Sequence, residues 1–176
     1  MNVRTRVKYI GIGIGIMLLV LPLMGYLVLR SGYVPVACPM RPLMLEKYLA
    51  KTALHAVLRR EAPKTAPLPV TVRNLTAGAA IYRRNCSFCH GLPGKGRTAA
   101  AFGMYPPPPQ FFKPKAMVTM DQVGWSFWKA KYGIRLTGMP AFHASLSDRQ
   151  LWQVVLMLKH GNRLPGPVLA RLRKAR

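Results

Sequence analysis

The sequence predicts an all-α protein: a small helical domain with long loops, preceded by a membrane-spanning helix and a short amphipathic helix. Three observations carry this expectation. Residues Ile10 to Leu29 form an uncharged apolar run of 20 residues. Residues 43–62 place Leu45, Tyr48, Leu49, Ala53 and Ala56 near one helical face. From about Thr71 the chain alternates short helical patterns with loops rich in Gly and Pro.

The first element is the anchor. A basic segment, residues 1–8, precedes an apolar segment, residues 9–29. Twenty residues of helix rise about 30 Å, the thickness of the hydrocarbon core of a bilayer. The Ile–Gly alternation reads as a strand in water, but in lipid only a helix satisfies its own backbone, and Pro22 is tolerated there. A cleaved signal peptide is the rival reading. Its apolar region is normally shorter, and no A-x-A site follows. "PVAC", ending at Cys38, resembles a lipoprotein site only loosely. The expectation is an uncleaved anchor. Arg4, Arg6 and Lys8 before it and Arg30, Arg41 and Lys47 after it leave only a slight charge bias, so charge orients it poorly.

Residues 30–70 read as a juxtamembrane linker containing helix 43–62, which can rest on a membrane, pack on the main domain or dock to a partner. His55 on it reads as a surface or interface residue. "PKTAPLPV" reads as linker, because three prolines in eight residues oppose helix and sheet. The main domain spans 71–164. "TAGAAIYRRNC" predicts a helix capped by Thr76, and "YPPPPQFF" a stiff extended run. Thr119 with Gln122, and Ser147 with Gln150, fit capping boxes for two further helices, with Gly161 stopping the second. Residues 165–176 form a basic tail expected to be solvated or frayed.

Chemistry concentrates in "RRNCSFCHG". The chain has three cysteines, Cys38, Cys86 and Cys89, so it is no disulfide-stapled scaffold. A zinc site needs four ligands, and Cys38, His55, His143 and His160 supply no second pair at ligand spacing. A redox dithiol wants its first Cys at a helix N-terminus, whereas Cys86 falls at a predicted helix end. Cys86, Cys89 and His90 instead form Cys-x-x-Cys-His, the attachment signature of covalent haem. The two thiols tether the macrocycle, and the next residue offers an imidazole to the iron. A second axial ligand is then expected from a separate loop. Met139 in "TGMPAF", 49 positions beyond His90, is the candidate, since a thioether favours the ferrous state. Met104, Met117, Met120 and His143 could take its place.

"GAAIYRRNCSFCHG", "GMYPPPPQFF", "WKAKYGIRLTGMPAF" and "LSDRQLWQVVLMLKHG", in that order, resemble a bacterial class I cytochrome c over roughly residues 71–162. The resemblance implies one haem c, covalent through Cys86 and Cys89, with His90 and Met139 as axial ligands. It implies that Gly78 lets the first helix of the domain cross the last closely, with Tyr82 and Trp152 packed near that crossing. It implies haem attachment outside the cytoplasm, and hence a single-pass inner-membrane protein with its haem domain in the periplasm.

Such a site implies an electron-transfer protein rather than an enzyme, with no small-molecule substrate. A fixed cytochrome c subunit of a larger membrane oxidoreductase complex is the alternative, and a haem enzyme or gas sensor with a displaceable Met139 a more distant one. The charge balance departs from many relatives: 27 Lys plus Arg face 4 acidic residues, a formal net charge of +23. An exported domain does not meet the genome, so nucleic acid is excluded as a partner. Acidic redox proteins, anionic membrane lipid and an acidic periplasm remain as explanations. A basic patch around the site favours docking, and a scattered basic surface favours acid adaptation.

Overall fold

The computed structural model describes residues 2–38, 43–113 and 116–174. Those residues are helical with no strand. The chain divides into two compact units, Met1–Met44 and Leu45–Arg176.

The first unit holds helix α1, Val3–Arg30, whose interior includes Pro22. It is long and apolar enough to cross a membrane. Arg41, one of the charges flanking the anchor, lies outside the described residues.

The second unit is built around α3 (Val72–Asn85), α7 (Val123–Tyr132), α8 (Asp148–Lys159) and α9 (Gly166–Arg173), with the one-turn segments α4 (Ser87–His90), α5 (Ala99–Phe102) and α6 (Met117–Met120) between α3 and α7. Every residue of α8 from Leu151 to Leu158 is buried, so this helix is covered on all sides. Its start is the expected capping box: Ser147 Oγ accepts from the Gln150 backbone, and the Gln150 side chain accepts from the Ser147 backbone. Gly78 of α3 sits against α8. A Cβ there would lie 2.6 Å from the Gln153 carbonyl carbon and closer still to its oxygen. Tyr82 is fully buried beside this contact, and Trp152 stacks on Phe127 at 4.1 Å. Both aromatics are core residues.

Several local expectations are corrected. Thr71, not Thr76, caps α3, accepting from the Asn74 backbone N–H. The start is pulled forward because buried Asn74 must be satisfied: its amide donates to the Pro69 carbonyl and accepts from Gln153. Thr119 and Gln122 form no capping box. The Thr119 hydroxyl donates instead to the Ala116 carbonyl at 2.7 Å, and α7 begins at Val123 after a separate turn, α6 (Met117–Met120). Gly161 opens a 3₁₀ turn, with His160 as the C-cap of α8. The basic tail is not solvated throughout: it contains α9, which buries Val168 and Leu172 completely in the core beside α3. Arg83 donates to the Arg171 and Lys174 carbonyls at the end of that helix.

Helix α2, Glu46–Glu61, lies within 43–62, but the expected apolar face is not the packed one. Leu45, Tyr48, Leu49, Ala53 and Ala56 are exposed, while Leu58 is fully buried and Leu54 and Val57 are half-buried. His55 meets the Trp125 ring at 5.5 Å. "PKTAPLPV" is a seated strap rather than a free linker. Ala66 and Leu68 pack on the core. The backbone of Pro63 passes so close to Gly124 that no Cβ would fit between them.

Candidate functional site

Cys86 is the C-cap of α3, and its N–H still bonds the Tyr82 carbonyl at 2.8 Å. The chain then winds one further turn, α4 (Ser87–His90), closed by Gly91 with φ 73°. Cys89 and His90 both donate their N–H groups to the Cys86 carbonyl, at 3.2 and 2.9 Å. One turn therefore carries both thiols and the imidazole. Burial pushes the Cys86 thiol up to about 12, with the neighbouring Cys89 adding to the shift. A redox dithiol needs the opposite, a stabilised thiolate. Burial also holds the Tyr82 phenol protonated, and its hydroxyl donates to the Gly91 carbonyl at 2.7 Å.

His90 is oriented from the proline-rich run. Its Nδ1 lies 2.8 Å from the Pro109 carbonyl, which can only accept, so Nδ1 carries the proton and Nε2 keeps its lone pair. Phe111 stacks on the imidazole at 4.3 Å and 16°. Burial lowers the pKa of His90, and the Pro109 bond opposes that shift. Between these two residues, Gln110 Nε2 donates to the carbonyls of Cys89 and Pro108, at 3.3 and 3.2 Å. Three consecutive residues thus brace the attachment turn, an arrangement typical of the outer contacts that fix a ligating histidine. The sequence offered only a faint sign of this, in the stiffness of "YPPPPQFF".

Met139 sits on a tight loop returning to the end of α7. Its N–H donates to Thr137 Oγ1 at 3.1 Å, and its carbonyl accepts from Ile134 N–H at 3.2 Å. Gly133, at φ 70°, lies under that loop, and a Cβ there would reach within 2.8 Å of the Met139 carbonyl oxygen. The loop continues by pairing Phe142 N–H with the Ala130 carbonyl.

These pieces meet at one cavity of about 470 Å³. Cys86, Cys89, His90 and Met139 all line it, with an apolar remainder that includes Phe111, Ile134, Leu151, Val155 and Leu158. Met104 also lines it, its Sδ packed against Gly138. Met120, by contrast, is 69% exposed, and His143 stands elsewhere beside Tyr132. The Met117 side chain lies outside the described residues. The cavity's charged lining residues are Lys129 and Asp121, paired at 3.3 Å. Two thiols, an imidazole with a free Nε2, a thioether and apolar walls in one cavity fit a covalently held haem. A second cleft, about 410 Å³, is lined by Glu61, Trp128, Lys131 and Asp148 among others; it holds neither sulfur nor imidazole.

Exposed Lys and Arg occur on α2 (Lys47, Arg59), α3 (Arg73, Arg84), the loops (Lys95, Arg135) and α9 (Arg171). The basic surface is therefore spread over the second unit rather than confined to the cavity rim. Among the described residues, Glu61 pairs with Arg60, Asp121 with Lys129 and Asp148 with Lys131.

Residues 73–156 match the family described as cytochrome c oxidase, cbb3-type, subunit III. A search of curated proteins finds no match. The family match begins beyond α2 and the strap.

Proposed function

We propose that residues 73–156, which match the cbb3-type oxidase subunit III family, form a c-type cytochrome domain, and that this chain is a membrane-tethered periplasmic cytochrome carrying single electrons between redox proteins. The observation that carries the reading is the meeting of Cys86, Cys89, His90 and Met139 at one cavity. Cys86 and Cys89 would hold a single haem covalently and His90 Nε2 and Met139 Sδ would ligate it, and the group would supply a one-electron couple there.

The protein's work is positional. The Pro109 carbonyl and the Phe111 ring hold the imidazole in one tautomer and one orientation. Thr137, Ile134 and Gly133 hold the backbone of Met139. Ligands fixed from both elements need little rearrangement when the charge of the site changes. Were His90 and Met139 both to ligate the iron, no position on it would be left for a substrate. Apolar walls disfavour the more charged oxidised state, which raises the potential. Phe88, between the two cysteines, lines the cavity and is 72% exposed. A redox partner approaches there.

The uncharged stretch of α1 supports a single-pass anchor; the orientation, amino terminus in the cytoplasm and second unit in the periplasm, follows from the resemblance to cytochromes c, which attach haem outside the cytoplasm. The spread of basic residues and the small number of acidic ones support adaptation to an acidic compartment more than a docking patch for an acidic partner. The purified protein tests the assignment. Intact mass should show one covalent haem, and a redox titration one n = 1 wave with no carbon monoxide uptake by the reduced form at neutral pH. Two haems, or ready carbon monoxide binding, would overturn it.

The second reading is a fixed subunit of a membrane oxidoreductase complex, favoured by the cbb3-type oxidase subunit III description of the matched family. Gentle solubilisation separates the two: a free carrier migrates alone, and a subunit migrates with other polypeptides.

A further inference from the structure

Helix α2 and the strap that follows it precede the matched family segment, yet they do not merely connect. Leu54 of α2 lines the same cavity as the two cysteines, His90 and Met139. We propose that α2 is an added wall of the haem chamber and that Leu54 is a positioning residue that excludes water from it, raising the reduction potential. This rests on the haem reading above.

Four contacts hold the wall in place. Leu58, one turn on from Leu54, is fully buried. His55 packs on the Trp125 ring, and Trp128 Nε1 donates to Glu61 Oε2 at 3.1 Å, so both ends of the packed stretch are fastened to α7. Behind them the Pro63 backbone is seated on Gly124, where only a glycine leaves room. Helix α7 itself contributes Ser126, Lys129 and Ala130 to the cavity. The wall is thus fastened to the helix that forms the adjoining side of the chamber. Leu54 presents an uncharged, non-hydrogen-bonding surface, so α2 offers water no polar partner there; polar groups such as Ser126 and the Lys129–Asp121 pair come from α7 and the turn before it. Oxidation adds a positive charge to the site, and a dry apolar wall disfavours that charge. The opposite face of α2, with Leu45 and Leu49, takes no part in the chamber.

The test uses the full-length haem-loaded protein in detergent. Leu54→Asn and Leu54→Asp should both lower the midpoint potential, Asp the more, with haem content unchanged. Leu49→Asn, on the exposed face, should leave it where it is. Gly124→Ala unseats the strap from the other side and should lower the potential in the same direction. Unchanged potentials in both Leu54 variants, with tryptophan fluorescence and circular dichroism as in the parent, would overturn the proposal. If the Leu54 variants do not accumulate, the Gly124→Ala potential decides alone: a fall supports the wall, and no change overturns it. Failure of the parent protein to bind haem would instead refute the underlying reading.

Discussion

Replacing Gly78 by Ala tests the contact on which the domain is assembled. A Cβ at this position would stand 2.6 Å from the Gln153 carbonyl carbon and 3.0 Å from the Val154 nitrogen. Both are backbone atoms of α8, so no side chain can swing aside and the two helices must separate. Overpacking typically costs about 1–3 kcal/mol, and a backbone clash belongs at or beyond the upper end. Ala returns about 1 kcal/mol of helix propensity relative to Gly. The net loss is therefore about 2 kcal/mol or more. For a domain of this size that lowers the melting temperature by roughly 8 °C or more. On the proposed haem reading attachment should persist, because Cys86 and Cys89 are unaltered, but the cavity changes: Cys86 caps α3, while α8 supplies Leu151, Val154, Val155 and Leu158. Thermal unfolding followed by circular dichroism on the haem-loaded protein reads the loss. A melting temperature within about 2 °C of the parent would show that the helices do not cross at this distance.

Other consequences are equally direct. Tyr82→Phe leaves the buried Gly91 carbonyl without its 2.7 Å donor and should cost about 1–3 kcal/mol in a denaturant titration. Leu172→Ala, at a fully buried position of α9, should cost about 2–5 kcal/mol; a neutral result would mean that the C-terminal helix is undocked. For pH, the Arg60 side chain, and then the Trp128 indole, hold the Glu61 carboxyl below its ordinary 4.5. A depressed carboxyl contributes stability above its ordinary value and loses it as pH falls through the depressed one. The difference in melting temperature between the parent and Glu61→Gln should therefore stay level from neutrality down to about 4.5 and shrink only below it, while His90, which burial holds below its ordinary 6.5, lowers the stability of both alike as pH falls. A difference that already shrinks between pH 7 and 5 would contradict this.

The turn that carries Cys86, Cys89 and His90 was legible because the three are contiguous and need one helical turn and little else. Ser147 and Gln150 were legible for the same reason, since a capping box closes within four residues. Met139 was legible as a residue type in a stiff loop, with its place at the cavity dependent on how Gly133 and Thr137 fold that loop back on α7. What stayed hidden is what sequence distance conceals. Pro109 to Phe111 lie about twenty residues from His90, and Leu54 more than thirty from Cys86; their roles arise only when α2 and the proline run pack. Thr71 and Thr76 have equal capping chemistry, and buried Asn74 decides between them. In the C-terminal stretch the spacing of Val168 and Leu172 predicts a packed face, but the surrounding Arg and Lys drew the reading towards solvent. On α2 the wrong apolar face was favoured because both faces are apolar and only tertiary packing chooses.

The central claim is that His90 and Met139 hold the iron of a covalent haem and leave it no open position. The measurement that bears on it most directly is the weak thioether-to-iron charge-transfer band at the red end of the visible spectrum, recorded on the oxidised protein and on Met139→Ala. The account predicts a band in the parent, its loss in the variant, a lower potential, and carbon monoxide binding gained only by the variant. A band that persists in Met139→Ala would contradict the assignment and hand the ligand's place to another thioether, with Met104 on the same cavity wall the first to examine.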